Sequence, residues 1–224
     1  MSAWWLHWRY AKSAAQTPLA CFYTDPPSNQ NQCVADAELL ALDFETSGLN
    51  PQSDRLLSMG WVLISRGRIR MASAGHCIIR SDHHSVGQSA TVHGLLDADL
   101  EQGISLPEAL NSLLAMLRGR MLVVHYSPIE AGFLQKACQM IHGVPLPLQI
   151  IDTLAIEAQR RAHIHDSQGA LRLHACRERY GLPRYRAHNA AIDALACAEL
   201  LLAQVAHIGG VHSVTLKELL RRSR

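Results

Sequence analysis

Aromatic residues are scarce in this chain, at 5% of 224 positions. That scarcity argues against an extended base-stacking platform of the kind single-strand coat proteins use. The six cysteines are scattered and show no Cys-x-x-Cys spacing. Zinc ribbons and disulfide frameworks are therefore not expected, and reduced thiols in a cytoplasmic setting are. The sequence shows no apolar stretch read as membrane-spanning, and no charged n-region followed by an apolar h-region. A membrane is not expected as a partner. The formal net charge is only +2, too small for a globally basic nucleic-acid coat. The 13 histidines are spread out. His83-His84 and His163-x-His165 lack partners at zinc-site spacing and read as surface residues.

What is present is acidic and local. Leu39 to Leu42 is an apolar run leading into Asp43-Phe44-Glu45-Thr46, with Ser47-Gly48 and Asn50-Pro51 after it. This pattern reads as a buried strand ending in a turn. Alternate strand side chains share a face, so Asp43 and Glu45 lie side by side, roughly 6.5–7 Å apart along the strand. Paired carboxylates repel unless a cation or a proton lies between them. Oxygen-only ligands suit hard cations such as Mg²⁺ or Mn²⁺. A strand end that merely happens to be acidic gives the same local pattern.

A second segment, Val123 to Leu134, carries His125 and Glu130. A third runs from Arg186 to Leu202 and carries His188, Asn189 and Asp193. Ala190 to Ala206 has helical periodicity, with Ile192, Leu195, Ala196, Leu200 and Ala203 as its apolar face. His188 and Asn189 precede it at cap positions, and Asp193 falls in its first turn or so. A carboxylate there can reach a metal on a neighbouring strand. Histidine is the residue type best suited to taking a proton near neutrality. Taken alone, an acid at a helix N-terminus also reads as a dipole partner.

Together these segments resemble the DEDD superfamily of 3′→5′ exonucleases, which share an RNase H-like fold and include the proofreading epsilon subunit of bacterial DNA polymerase III. Asp43 and Glu45 match the first motif, with Thr46, Gly48 and Leu49 after it. His188 and Asp193 match the third motif in its His-x-x-x-x-Asp form, the DEDDh branch. The likeness spans about Ala37 to Ala206. Val92-His93-Gly94-Leu95 and Ile151-Asp152-Thr153-Leu154 are softer landmarks. The second motif departs from the family's His-Asn-x-x-Phe-Asp: here it reads His125-Tyr126-Ser127-Pro128-Ile129-Glu130.

The resemblance implies an α/β fold with a mixed central sheet flanked by helices. It implies catalytic residues Asp43, Glu45, Glu130, His188 and Asp193. The four carboxylates would hold two divalent cations, Mg²⁺ or Mn²⁺. Asp43 would bridge both ions, Glu45 and Asp193 would complete one, and Glu130 would act partly through water. His188 would deprotonate the attacking water. Phe44, Thr46, Gly48, Leu49 and His93 would meet the substrate. The expected reaction releases nucleoside 5′-monophosphates from single-stranded or frayed DNA 3′ ends. An exoribonuclease or oligonucleotidase of the same superfamily is the alternative, and a non-catalytic nucleic-acid-binding adaptor a further one. A replication or repair protein would be a partner.

The basic residues Arg172, Arg177, Arg179, Arg184 and Arg186 precede His188. They read either as guides for a phosphate backbone or as a solvated face. Residues 1–36 form an extension with Trp4, Trp5 and Trp8 in a short helix, followed by a polar linker. The Trp cluster is expected to pack on the domain or on a partner, the first being the commoner outcome. Residues 37–208 form the exonuclease-like domain and 209–224 a basic tail. Within the domain, strands are expected at Leu39–Phe44, Leu57–Ile64, Arg68–Ile79, Met121–His125 and Leu148–Ile151. Helices are expected at Leu106–Leu117, Pro128–His142, Leu154–Arg161, Ala170–Tyr180 and Ala190–Ala206.

Overall fold

Leu39 to Leu42 are all buried because strand β1 (Glu38–Thr46) is covered on both faces. The computed structural model describes residues 3–25, 29–80, 97–164, 169–186 and 188–223, with the side chains of 3–8 and 97–98 outside that description. Strand β1 pairs antiparallel with β2 (Leu56–Ser65), which pairs antiparallel with β3 (Arg68–Ile78). On its other side β1 runs parallel to β4 (Met121–Val124), and β4 runs parallel to β5 (Ile150–Asp152). The order β3-β2-β1-β4-β5 is a mixed sheet, as the resemblance implies. The β2–β3 hairpin closes over Arg66 and Gly67, whose φ values of 53° and 65° match the twist of a two-residue turn.

Even-numbered β1 residues Leu40, Leu42 and Phe44 enter one core. Helix α4 (Leu106–Leu117) and helix α5 (Ser127–His142) fill it with Leu110, Leu113, Leu114, Phe133 and Leu134. Ser105 caps α4 by accepting from the Glu108 N–H. The N-terminal helices α1 (Ala3–Ala14) and α2 (Ala20–Thr24) join this core through Ala14, Leu19 and Tyr23. The Tyr23 hydroxyl donates to the Pro145 carbonyl. The side chains of Trp4, Trp5 and Trp8 lie outside the described residues, as do His83, His84, His93 and His165. A short α3 (Asp97–Glu101) precedes α4.

Odd-numbered Leu39 and Ala41 enter a second core under helix α8 (Ala190–Ile208). This helix corrects two expectations. It is 19 residues long, and by length and composition alone it is apolar enough to cross a membrane. Here it lies on the sheet instead, with Cys197, Ala198, Leu201 and Val205 in the core. Its buried side only partly matches the expected face, of which Ala196 and Leu200 are buried. Ala190, Ala194, Cys197, Ala198 and Leu201 are buried, whereas Ile192, Leu195 and Ala203 are only half-buried. The helix is apolar on most sides, so periodicity alone does not choose the face. Its small residues face the sheet because the approach there is close.

Helices α6 (Thr153–Arg160) and α7 (Leu173–Arg179) pack beside α8. The C-terminal segment forms helix α9 (Leu216–Arg222), capped by Thr215. Leu216 and Leu219 are buried in the second core. The Asp152 N–H donates to Ser223 Oγ at 3.0 Å.

Candidate functional site

Asp43 and Glu45 project from the α8 face of β1, where the strand ends. Asp43 lies in register with Gly60 of β2. A Cβ built on Gly60 would overlap the backbone of Ala190 and Ala191. The missing side chain at position 60 therefore lets the first turn of α8 settle directly on the sheet. That turn carries Asp193. One ligand oxygen from each of Asp43, Glu45 and Asp193 lies within 4.8 Å of the others. Burial, then the charges of Glu130, Asp193 and Glu45, hold the Asp43 carboxyl well above its ordinary range. Burial likewise raises Asp193, against the N–H groups of His188 and Asn189, and the Glu45 charge adds to the rise. An oxygen-only trio of mutually repelling acids fits a hard divalent cation.

Glu130 comes from the first turn of α5 and is 3% exposed. It stands outside the 4.8 Å trio but close enough for its charge to bear on Asp43. Burial pushes its carboxyl up to about 8, with its own N–H and that of Phe44 opposing the rise and Asp152 adding to it. Its Oε2 is buried without a hydrogen-bond partner. A buried orphan oxygen of this kind calls for an explanation such as an ion or a proton, so Glu130 fits the same cationic group.

His188 precedes α8 in a left-handed backbone conformation with φ 69°. Its N–H donates to Asp193 Oδ2 at 2.8 Å, and the Asn189 N–H reaches the same atom at 3.3 Å. Asn189 Oδ1 accepts from the Ile192 N–H and caps the helix. His188, Asp43 and Asp193 all border one cleft of ≈ 1190 Å³. That is larger than the roughly 300–1,000 Å³ of ordinary small-molecule pockets, and suits a polymer end.

The expected substrate residues fall in different places. Leu49 is 78% exposed and borders the cleft, so it does not pack in the core. Thr46 is buried and donates to the Gly48 carbonyl at 2.7 Å, a turn contact. A Cβ built on Gly48 would collide with the Asp54 carboxylate. The Phe44 ring sits on the opposite face, in the first core.

The basic cluster divides. Arg177 is buried against Glu199 at 2.7 Å and Arg179 meets Glu157 at 2.9 Å. Arg172 and Arg184 are exposed on the cleft, and Arg186 is exposed. Sequence reading missed the role of Asp152. Its carboxylate takes the N–H groups of Tyr126 and Ser127 and those of Leu154 and Ala155, tying the starts of α5 and α6 together. An Asp just before a helix is the signal for that role. His76 was also missed. It is in register with Gly60, hence in the Asp43 row, and the strand between them hides it from any local motif.

The exonuclease family model RNase_T matches residues 40–201. The PolC-type DNA polymerase III of Thermotoga maritima is 29% identical over 187 residues, covering 82% of this chain and 13% of that protein. The chain thus spans a small part of that relative's length. The DNA polymerase III subunit epsilon of Treponema pallidum is 26% identical over 190 residues, covering 81% of this chain and 86% of that one. E. coli Exonuclease I in complex with a dA16 oligonucleotide superposes with a TM-score of 0.64 at 11% identity, over 76% of this chain and 41% of that one. At that identity the likeness speaks to the fold alone. With the family model covering most of the sheet and α8, the chain belongs to the RNase_T exonuclease family and carries a DEDD-type 3′→5′ exonuclease domain.

Proposed function

We propose that the chain removes nucleotides from the 3′ ends of single-stranded or frayed DNA as nucleoside 5′-monophosphates, using two divalent cations and His188 as general base. The observation that carries this reading is the acidic trio of Asp43, Glu45 and Asp193, with His188 held on the same cleft. DNA as substrate is favoured by the relatives, which are named as DNA polymerase III proteins. A replication or repair protein as partner follows from the same likeness.

The trio, joined by Glu130, would hold Mg²⁺ or Mn²⁺. Such ions, when bound, stabilise charge on the attacking and leaving oxygens of an in-line displacement. The remaining work falls to the chain's own groups. His188 takes the proton of the attacking water. The tether from Asp193 to its backbone N–H fixes the turn that carries the imidazole beside the cleft. Arg172 and Arg184 lie where they can meet phosphates upstream of the end.

The test is product analysis on end-labelled DNA and RNA oligomers. Mononucleotides should appear from the 3′ end with Mg²⁺ or Mn²⁺, chelation should abolish them, and a circular single strand should resist. Undiminished hydrolysis in excess chelator rejects the metal reading. Cleavage of the circle rejects the end requirement, and preference for the RNA oligomer rejects the assigned substrate.

A further inference from the structure

Tyr126 is the residue that the fold explains least. Its backbone sits at φ 85° and ψ 70°, a left-handed conformation that glycine or asparagine adopts readily and a tyrosine does not. The residue is 48% exposed. It borders the cleft that also holds Asp43, Leu49, His188 and Asp193. No core cluster includes it. The ring is thus placed at the cleft rather than in the buried core.

The strained conformation is nevertheless fixed from both sides. The Tyr126 N–H donates to Asp152 Oδ1 at 3.1 Å and the Ser127 N–H to Asp152 Oδ2 at 2.8 Å. The preceding His125 ring is clamped between Thr153 Oγ1 at 2.8 Å and the Leu171 carbonyl at 2.9 Å. A ring on such a stem loses little freedom when a ligand lies against it. Observed strain beside a reaction site is a sign of function there. Asp152 already occupies the amides at the start of α5, so that helix end is not offered to a phosphate. What is offered is an aromatic face.

We propose that Tyr126 stacks against a nucleobase within the last two nucleotides of the bound strand and so positions the 3′ end over the acidic trio. This rests on the exonuclease reading above. Every base has a π-face, so the contact is indifferent to sequence. The chain has few aromatics; Tyr126 and Tyr185 both border the cleft, but the Tyr185 hydroxyl is tied to Glu199 and its ring to Arg177. The resembling family has Asn at this position, so the stack would be this chain's own addition.

The test uses a single-stranded oligodeoxynucleotide with 2-aminopurine at its terminal or penultimate 3′ position. Stacking quenches that base. In an Asp43→Asn background, which stops turnover, binding should quench the probe. Adding Tyr126→Ala should remove the quench, and adding Tyr126→Phe should keep it. With turnover intact, Tyr126→Ala should raise KM about 5- to 150-fold, the size of one base–aromatic stack, with kcat changed far less. Tyr126→Gly should raise KM as Tyr126→Ala does without lowering Tm, because glycine relieves the backbone. That split separates a binding ring from a structural one. Cleavage by Tyr126→Ala with unchanged KM and unchanged quenching overturns the stack and leaves the exonuclease reading intact. A wild-type protein that cleaves nothing overturns that reading, and loss of quenching with Tyr126→Ala then still supports the stack.

Discussion

Asp193 Oδ2 accepts the backbone N–H of His188 at 2.8 Å. One carboxylate therefore serves two ends: it completes the acidic trio and fixes the loop that carries the imidazole. The loop's left-handed turn at His188 is held by that bond and by the Asn189 N–H to the same oxygen.

The two residues should consequently behave as a unit. His188→Ala should lower kcat about 10²–10⁴-fold, the usual contribution of a general base, while cation binding survives. Asp193→Ala should lose at least as much, because it removes a ligand and frees the loop. The double variant should fall little below Asp193→Ala alone, since linked residues are strongly non-additive. Single-turnover rates of the four proteins check this. Losses that simply multiply would show that the tether carries nothing.

Glu130 gives a pH signature. In the folded chain it keeps its proton up to about 8, against an ordinary value of 4.5. Between those values the folded state binds more protons than the unfolded chain, so stability falls as pH rises through that window. Asp43 is shifted in the same direction and adds to the slope. In chelator, Tm should therefore decline from mildly acid to mildly alkaline pH, and Glu130→Gln should flatten the decline. Added Mg²⁺ should raise Tm more at the alkaline end, where no proton has to be displaced. Calorimetric scans across the range measure both, and a flat wild-type profile in chelator contradicts the assignment.

Much of this site was legible without coordinates, and the reason is geometric. Strand alternation fixes Asp43 and Glu45 on one face whatever surrounds them, and helix caps are local, so Asn189 and Asp193 fall where spacing puts them. Residues whose meaning depends on distant partners were not legible. Arg177 and Arg179 look like surface charge in sequence, yet their partners Glu199 and Glu157 lie 22 residues away in each case. The segment from Lys217 to Arg224 looks like a basic tail, but Leu216 to Arg222 form a helix whose Leu216 and Leu219 are buried. Gly60 is unremarkable in sequence, because only the approach of α8 gives it a role.

That role is testable. Gly60→Ala places a methyl against the backbone of Ala190 and Ala191, which cannot yield as a flexible side chain would. The first turn of α8 must lift, and Asp193 with it. A displacement of about 1 Å in a catalytic constellation can cost on the order of 10²-fold in rate, and overpacking costs about 1–3 kcal/mol of stability. Gly209→Ala is the control. It lies at the other end of the helix, and a methyl at that position would have its nearest neighbours 3.7 Å away, so it should leave Asp193 in place and the rate per folded molecule near wild type. Equal activity in both variants would mean that α8 is not seated by Gly60.

The last prediction concerns the part of the cleft wall that Arg177, Pro183 and Tyr185 form. Arg177 donates to the carbonyls of Ala196 and Pro183 and to Glu199 Oε2, at 2.6, 2.9 and 2.7 Å. Tyr185 donates to the other Glu199 oxygen at 3.0 Å, with the guanidinium carbon 4.6 Å from its ring centre. One buried cation thus fastens the loop of Pro183 and Tyr185 to α8, just before His188. Arg177→Ala leaves two carbonyls and a carboxylate without their donor, and breaking such a pair costs about 3–5 kcal/mol. Glu199→Gln should cost less, because Glu199 is partly solvated and the amide still accepts from Tyr185. Both variants should lose turnover beyond what their Tm explains when assayed well below melting, since the loop that aims His188 is loosened. Arg177→Lys separates charge from shape: a point charge cannot span three acceptors as a planar fork does, so it should recover little. Full recovery by lysine would show that this clasp acts through charge alone.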